Sequence, residues 1–330
     1  MTDIALSLIY RVGILFLAMI PGFILRKCKL VPEAFGKGLS GFVLYAAQPS
    51  LVFLAYLRPY DAAVLRGAGW VLLFSIVAHA FFAVVALLLF RRATPDRQKI
   101  LRMTTVFSNA AFMGIPLIDA IFGATATLYA TVYNIPFNLV LWSLGTYICT
   151  HGNDLNEDGV NNHHDRRIAL REGLRSIRVA LLHPVTIAAA LGLFFFFLPI
   201  EDKIPSLFTE TLQMLADTVA PLSMVVIGLR LANTNFKGLL RDGQMYLFLA
   251  LRHLLLPFGV LLLMKGAALL FPSVDTTVIS VVLILAACPA ASSATMFAER
   301  YDCDAAYAGK LVTVSTALSI LTMPLLLLLV

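Results

Sequence analysis

The sequence predicts an all-α, polytopic membrane protein of ten transmembrane helices, arranged as two inverted five-helix repeats with broken crossover helices. Three observations predict it. Of the 330 residues 60% are hydrophobic and only 13% charged, and the mean hydropathy is +0.87, where soluble domains carry about 25% charged residues. Apolar runs recur along the whole chain at the length of about 20 residues that a helix needs to cross the hydrocarbon core. Two of these runs are interrupted by polar and helix-breaking residues at corresponding places in the two halves, a pattern that points to a secondary transporter's binding site.

In order, the spans fall near 4–25, 38–57, 67–90, 103–121, 125–149, 180–200, 211–231, 246–270, 276–298 and 311–330. The first begins MTDIALS, with an acid and no base. That is not a secretory n-region, so the run reads as a retained helix. Arg11 within it lies near a helix end, from which it snorkels to the interface. Gln48 beside Pro49 marks a kink in the second span and is placed to face a substrate. His79 in the third is a lone buried histidine, more a structural group than a titrating one. Asn134 and Asn138 straddle Pro136 in the fifth and are expected to bond between helices.

The fourth span is the one around which the others are organised. Thr104–Gly123 reads TTVFSNAAFMGIPLIDAIFG, and Leu285–Ala298 reads LAACPAASSATMFA. Gly and Pro free backbone groups that the bilayer leaves unsatisfied, at several kcal/mol each by estimate, so such segments line a cavity or are buried by protein. Two half-helices meeting there present positive N-terminal ends of about half a charge each, and free amides near Gly114 and Ala290 favour a carboxylate over a cation. Ser108, Asn109, Ser292 and Ser293 add neutral donors and acceptors, with Pro116, Cys288 and Pro289 shaping the breaks. Serines at such places also serve simply to let helices approach closely. Asp119 either carries a proton in the cavity or caps the fourth helix, and Asp217 in the seventh span has the same two readings.

Loop charge sets the orientation. Twenty of the 25 basic residues lie in odd-numbered loops, among them Arg102 and Arg252, against four in even loops. The positive-inside rule then places the odd loops in the cytoplasm and both termini outside, in a plasma membrane or bacterial inner membrane. The longest loop, 150–178, divides residues 1–149 from 179–330 as a cytoplasmic linker between two five-span repeats. Within it Asp154, Asn156, Asp158, Gly159 and Asp165 follow a calcium-loop spacing, yet Asp stands where a bidentate Glu is usual, and we read no metal site there. An odd number of spans per half makes the second half enter the membrane upside down. Pro49 precedes Arg58 by nine residues as Pro221 precedes Arg230, and aligning FGATA (122–126) with YDCDA (301–305) sets Asn109 opposite Cys288.

Enzymatic signatures are missing: there is no HExxH, GxSxG or phosphate-binding glycine loop. Cys28, Cys149, Cys288 and Cys303 lack metal-ligand spacing. Cys28, Cys149 and Cys303 fall near the cytoplasmic side, where thiols stay reduced, while Cys288 suggests a labelling site. No cofactor is implied. The net charge of +6 resides in short loops rather than in a basic patch with interleaved aromatics, so nucleic acid is not the partner; membrane lipid is.

At SNAAFMGIPLIDAIFG (108–123) and LAACPAASSATMFAERYDCDAAYAGKLVTVSTALS (285–319) the chain resembles the auxin efflux carrier family. That family includes plant exporters and bacterial carriers often called malonate or malate transporters. HPVTIAAALGL (183–193) and APLSMVVIGLRL (220–231) resemble its sixth and seventh helices. The resemblance implies a fold similar to sodium/proton antiporters and bile-acid transporters, in which a core domain moves against a scaffold of the first, second, sixth and seventh helices. It places the crossover prolines at Pro116 and Pro289 and the crossover asparagine at Asn109. Similar folds also imply a homodimer. The expected function is secondary transport of a small organic anion, a dicarboxylate such as malonate or malate or an auxin-like carboxylate, by elevator-type alternating access. A cation/proton antiporter, expected to hold an acidic pair where Asn109 stands, and a non-carrier channel or receptor are the alternatives.

Overall fold

The computed structural model describes residues 2–151, 178, 181–198, 203–232 and 242–329. Those residues are helical, with no strand among them. The helices are α1 (Thr2–Leu17), α2 (Met19–Lys27), α3 (Ala34–Tyr56), α4 (Ala62–Leu89), α5 (Pro95–Val106), α6 (Ala110–Phe122), α7 (Ala124–Val140) and α8 (Thr146–His151). The second half of the chain holds α9 (Pro184–Phe196), α10 (Ser206–Ala232), α11 (Gly243–Leu270), α12 (Thr276–Ala287), α13 (Ser293–Arg300) and α14 (Ala305–Leu327). Each of the ten apolar runs carries helix, and α3, α4, α10, α11 and α14 are long and apolar enough to cross a membrane. The calcium-like loop lies outside the described residues.

Local chemistry explains where these helices start and bend. Asp61, Asp242, Asp275 and Asp304 each accept a backbone N–H of the first turn of α4, α11, α12 and α14, satisfying a donor that the helix itself leaves unpaired. Five-residue π segments, Val43–Ala47, Ala110–Gly114 and Leu251–Leu255, each end two residues before a proline, Pro49, Pro116 and Pro257. Proline has no N–H and its ring crowds the carbonyl four residues back. A locally wider turn admits it without breaking the helix.

The outer surface is apolar. Leu72, Leu73, Ile76, Val84, Leu88 and Leu89 of α4 are all exposed although the helix also buries Phe74, His79 and Phe82. A helix apolar on every side suits a lipid environment. The glycines set the closest packing. A Cβ on Gly22 of α2 would lie 2.1 Å from Val225 O of α10, and one on Gly228 of α10 would lie 2.0 Å from Met19 O. Backbones thus touch where these two helices cross, the small-residue device of membrane helix pairs. Against this pair α3 packs onto α9 and α10, whereas α4, α7 and α12 pack together around the interrupted segments.

One recurrence is numerical. Ala62 and Gly243, Pro95 and Thr276, and Ala124 and Ala305 begin helices and are each 181 positions apart; so do Leu89 and Leu270, and Val106 and Ala287, end them.

Several expectations are corrected here. The fourth span breaks at 107–109, upstream of Gly114 and Pro116, because the π turn accommodates that proline inside α6. Arg252 is no loop residue: it lies within α11 and is 0% exposed. Arg102 is likewise buried, within α5, and donates to Leu87 O at 3.4 Å. Asn134 bonds back along its own helix, to Ala130 O at 2.9 Å, rather than to a neighbour. Arg11 donates to Ala120 O at 3.0 Å and so ties α1 to the end of α6.

Candidate functional site

The two interrupted spans cross. Between α5 and α6, and between α12 and α13, the chain is extended, and the two extended pieces pair as a minimal antiparallel ladder. Ser108 bridges Ala290, Asn109 N donates to Pro289 O at 2.7 Å, and Ala291 N donates to Phe107 O at 2.9 Å. Backbone groups freed by the breaks therefore satisfy one another, as a low-dielectric setting demands.

The amides expected to be free are committed. Gly114 N donates to Asn109 O at 3.2 Å, and Ala290 N donates to Ser315 Oγ at 3.0 Å. Gly114 serves packing instead: a Cβ there would come 2.5 Å from Leu285 Cδ2 and 3.1 Å from Cys288 Sγ. Cys288 is fully buried beneath it, which removes it as a labelling site. Pro116 is buried inside α6, and Pro289 contributes its carbonyl to the ladder.

What remains uncommitted is side-chain chemistry. Asn109 is 5% exposed and makes no side-chain cap at the start of α6. The hydroxyls of Ser108 and Ser293 are buried with no hydrogen-bond partner, and Ser292 makes no side-chain cap at α13. Gln48 reaches the crossing from α3, donating Nε2 to Ala111 O at 3.0 Å, while its Oε1 is buried without a partner. Native interiors pair such groups almost everywhere; Ser108 Oγ, Ser293 Oγ and Gln48 Oε1 depart from that rule.

The residue that sequence reasoning missed is Arg252. Its Nε and Nη2 both donate to Cys288 O, at 3.0 and 2.8 Å. Nη2 also donates to Ala286 O and Nη1 to Thr105 O, each at 3.0 Å. These carbonyls belong to the C-terminal ends of α12 and α5, the negative poles of both upstream half-helices. A planar fork of donors fits such a ring of carbonyls, which a lysine does not match. Phe82 covers the guanidinium, with its carbon 5.5 Å from the ring centre, and among the described residues no carboxylate pairs with it. The signal was available: Arg252–His253 sits inside the apolar run 246–270, and an ionisable residue at that depth is a functional-site hypothesis by default.

His253 braces the crossing from behind. Ser315 Oγ accepts from Ala290 N at 3.0 Å and lies 3.0 Å from His253 Nε2, and Thr322 Oγ1 lies 3.0 Å from His253 Nδ1.

The electrostatic balance follows. Two broken helices contribute two C-terminal and two N-terminal ends of about half a charge each, which cancel, and Arg252 leaves about one positive charge over. The acids are elsewhere. Asp119 accepts from Thr127 Oγ1 at 2.8 Å, and its carbonyl accepts Gly123 N, closing the turn from α6 to α7. Asp217 is exposed and accepts from Gln213 Nε2 at 2.7 Å. His79 donates Nδ1 to Ser75 O at 2.7 Å and packs its ring at an angle against Tyr133 and edge-on against Phe137, a structural place.

Comparison with known proteins matches residues 7–327 to the family described as membrane transport protein. This chain belongs to that family, the auxin efflux carrier family. An uncharacterized transporter of Methanothermobacter thermautotrophicus is 25% identical over 310 residues, covering 92% of each chain. The membrane transport protein described here is accordingly an integral membrane transporter, and its crossing is the candidate site.

Proposed function

We propose that this membrane transport protein carries a small organic anion of the carboxylate class, a dicarboxylate such as malonate or malate or an auxin-like acid, through the helix crossing. The observation that carries the reading is Arg252, a fully buried cation lodged against the crossing with no acidic partner among the described residues. A cation/proton antiporter needs negative charge at that place, and Asp119 and Asp217 are engaged elsewhere, by Thr127 and Gln213. Asn109, Ser108, Ser292 and Ser293 supply donors that can release the anion again. Asp119 and Asp217, at the other end of α6 and near the turn of α10, are left as the groups that would carry a coupling proton.

The architecture proposed with it is ten spans in two inverted repeats, 1–149 and 179–330, joined by the cytoplasmic linker 150–178. The 181-residue recurrence of helix ends supports it; in that register Asn109 corresponds to Ala290 and not to Cys288. Removing the buried Arg102 and Arg252 from the twenty odd-loop bases leaves eighteen against four, so the orientation with both termini outside the plasma membrane stands as proposed. The spans containing α2, α3, α9 and α10 form the scaffold, the crossing belongs to the moving core, and a homodimer is the expected assembly.

Uptake of radiolabelled malonate, malate and an indole acid into proteoliposomes, with imposed pH or sodium gradients, tests the reading. Saturable carboxylate flux is expected, weakened in Asn109→Ala by the loss of a hydrogen bond to a charged group, about 1.5–3 kcal/mol or about 10- to 100-fold in KM. Gradient-driven cation exchange without carboxylate flux overturns it.

A further inference from the structure

Cys149 and Cys303 are 154 residues apart in sequence and meet in space. Cys149 lies in α8, is 2% exposed and is walled in by the packing beneath it. Cys303 lies in the turn between α13 and α14 and is partly exposed. That turn is held rigidly. Asp302 takes the left-handed conformation at φ 52°, Tyr301 N donates to Phe297 O at 3.0 Å and Cys303 N to Ala298 O at 2.8 Å, closing α13 as a left-handed C-cap. Asp304 then starts α14 by accepting Tyr307 N at 2.8 Å. With both sides fixed, the Cys303 side chain lies between its own turn and α8: its Sγ is 3.6 Å from Tyr301 O and 4.0 Å from Cys149 O. Tyr301 OH reaches Thr146 Oγ1 at 3.4 Å and ties the same two elements one turn away.

We propose that Cys149 and Cys303 form a redox-active dithiol whose substrate is an organic disulfide, with Cys303 attacking and Cys149 resolving. The division of labour follows from access: one thiol is open to a reagent and the other is sheltered behind it. The Cys303 thiolate attacks one sulfur of the disulfide, the reagent's S–S bond breaks, and the departing thiolate takes a proton from solvent. Cys149 gives up its proton and attacks Cys303 Sγ, displacing the second thiol. Two protein thiols are oxidised to one disulfide and one organic disulfide is reduced to two thiols.

The electrostatics support the assignment. Donation from the Cys149 thiol, outweighing the opposite effect of burial and helped by Lys99 against Asp96 and Asp302, lowers the Cys303 pKa to about 7. At pH 7 that makes thiolate about sixteenfold more abundant than for a free cysteine at about 8.5, and the lower basicity takes back about fivefold. The net advantage is about threefold in rate. The inference is independent of the transport reading.

The test treats the full chain in detergent micelles with oxidised glutathione, quenches with N-ethylmaleimide, and maps cysteines by peptide mass spectrometry. The expected product of the native chain is a peptide pair linked through Cys149 and Cys303, with two thiols fewer titrated by maleimide once the quenched chain is denatured. Cys149→Ser should stop at a glutathione adduct on Cys303, whereas in the native chain, where the Cys149 thiol is present, Cys303 should react about threefold faster at pH 7 than the exposed Cys28, with a rate that rises through pH 7 and then levels. Cys303→Ser should leave Cys149 unmodified. A native chain that stops at the glutathione adduct, or a Cys303 no more reactive than Cys28, overturns the proposal, and the native chain alone decides it if a variant does not fold.

Discussion

Arg252 shows how much one side chain settles. Its guanidinium holds three carbonyls at the ends of α5 and α12, so removing it leaves acceptors buried without donors, at about 1–3 kcal/mol each. Arg252→Met is therefore expected to unfold at a distinctly lower temperature in detergent than the native chain. Arg252→Lys keeps the charge but not the fork; it should recover little of that stability while keeping part of the carboxylate uptake that Arg252→Met loses. If Arg252→Met is as stable as the native chain, the guanidinium is not the brace described here. Asn109 differs in kind, because its carboxamide supports no neighbour: its substitution is expected to change KM and leave the unfolding temperature nearly unmoved.

At the scale of the element, helix interruptions and helix contacts are separate devices. The π turn before Pro116 lets α6 keep its proline, and the true break at 107–109 is closed by the partner segment through the Asn109–Pro289 and Ala291–Phe107 bonds. Away from the crossing, α2 and α10 touch backbone to backbone at Gly22 and Gly228. A methyl group there meets a carbonyl oxygen rather than a yielding side chain, so the helices must part. Gly228→Ala is expected to cost about 1–3 kcal/mol, read as a lower midpoint of thermal unfolding. Gly266→Ala, with open space at its Cβ, should not lower it in the same way. Equal effects from both would remove the argument from contact geometry.

Across the whole molecule, the scaffold and the core proposed above meet through few polar contacts. Gln48 Nε2 donates to Ala111 O at 3.0 Å, and Tyr56 OH and Thr131 Oγ1 share a hydrogen bond of 2.7 Å; Arg58 adds a bond to Thr125 Oγ1. An elevator movement must break and remake them. Each is worth about 1 kcal/mol, so Tyr56→Phe is expected to change the maximal uptake rate about fivefold while KM stays comparatively constant. A change confined to KM would place Tyr56 at the substrate and not at the moving boundary.

The amino-acid sequence by itself determined the class of molecule, the ten apolar runs, the two interrupted spans and the family. Each of these is carried by contiguous residues: burial in lipid demands about 20 apolar residues in a row, and proline, glycine and asparagine announce a broken run locally. Even the cluster Asn109, Ser108, Ser292 and Ser293 was legible, because it lies next to the breaks. Only the tertiary structure decided how the breaks are satisfied, since the Ser108–Ala290 ladder joins residues from opposite halves of the chain. It moved Arg252 from a counted cytoplasmic base to the buried cation of the crossing, and it brought Cys149 to Cys303 across 154 positions. Charge balance and thiol pairing depend on distance in space, and spacing along the chain carries no measure of that distance.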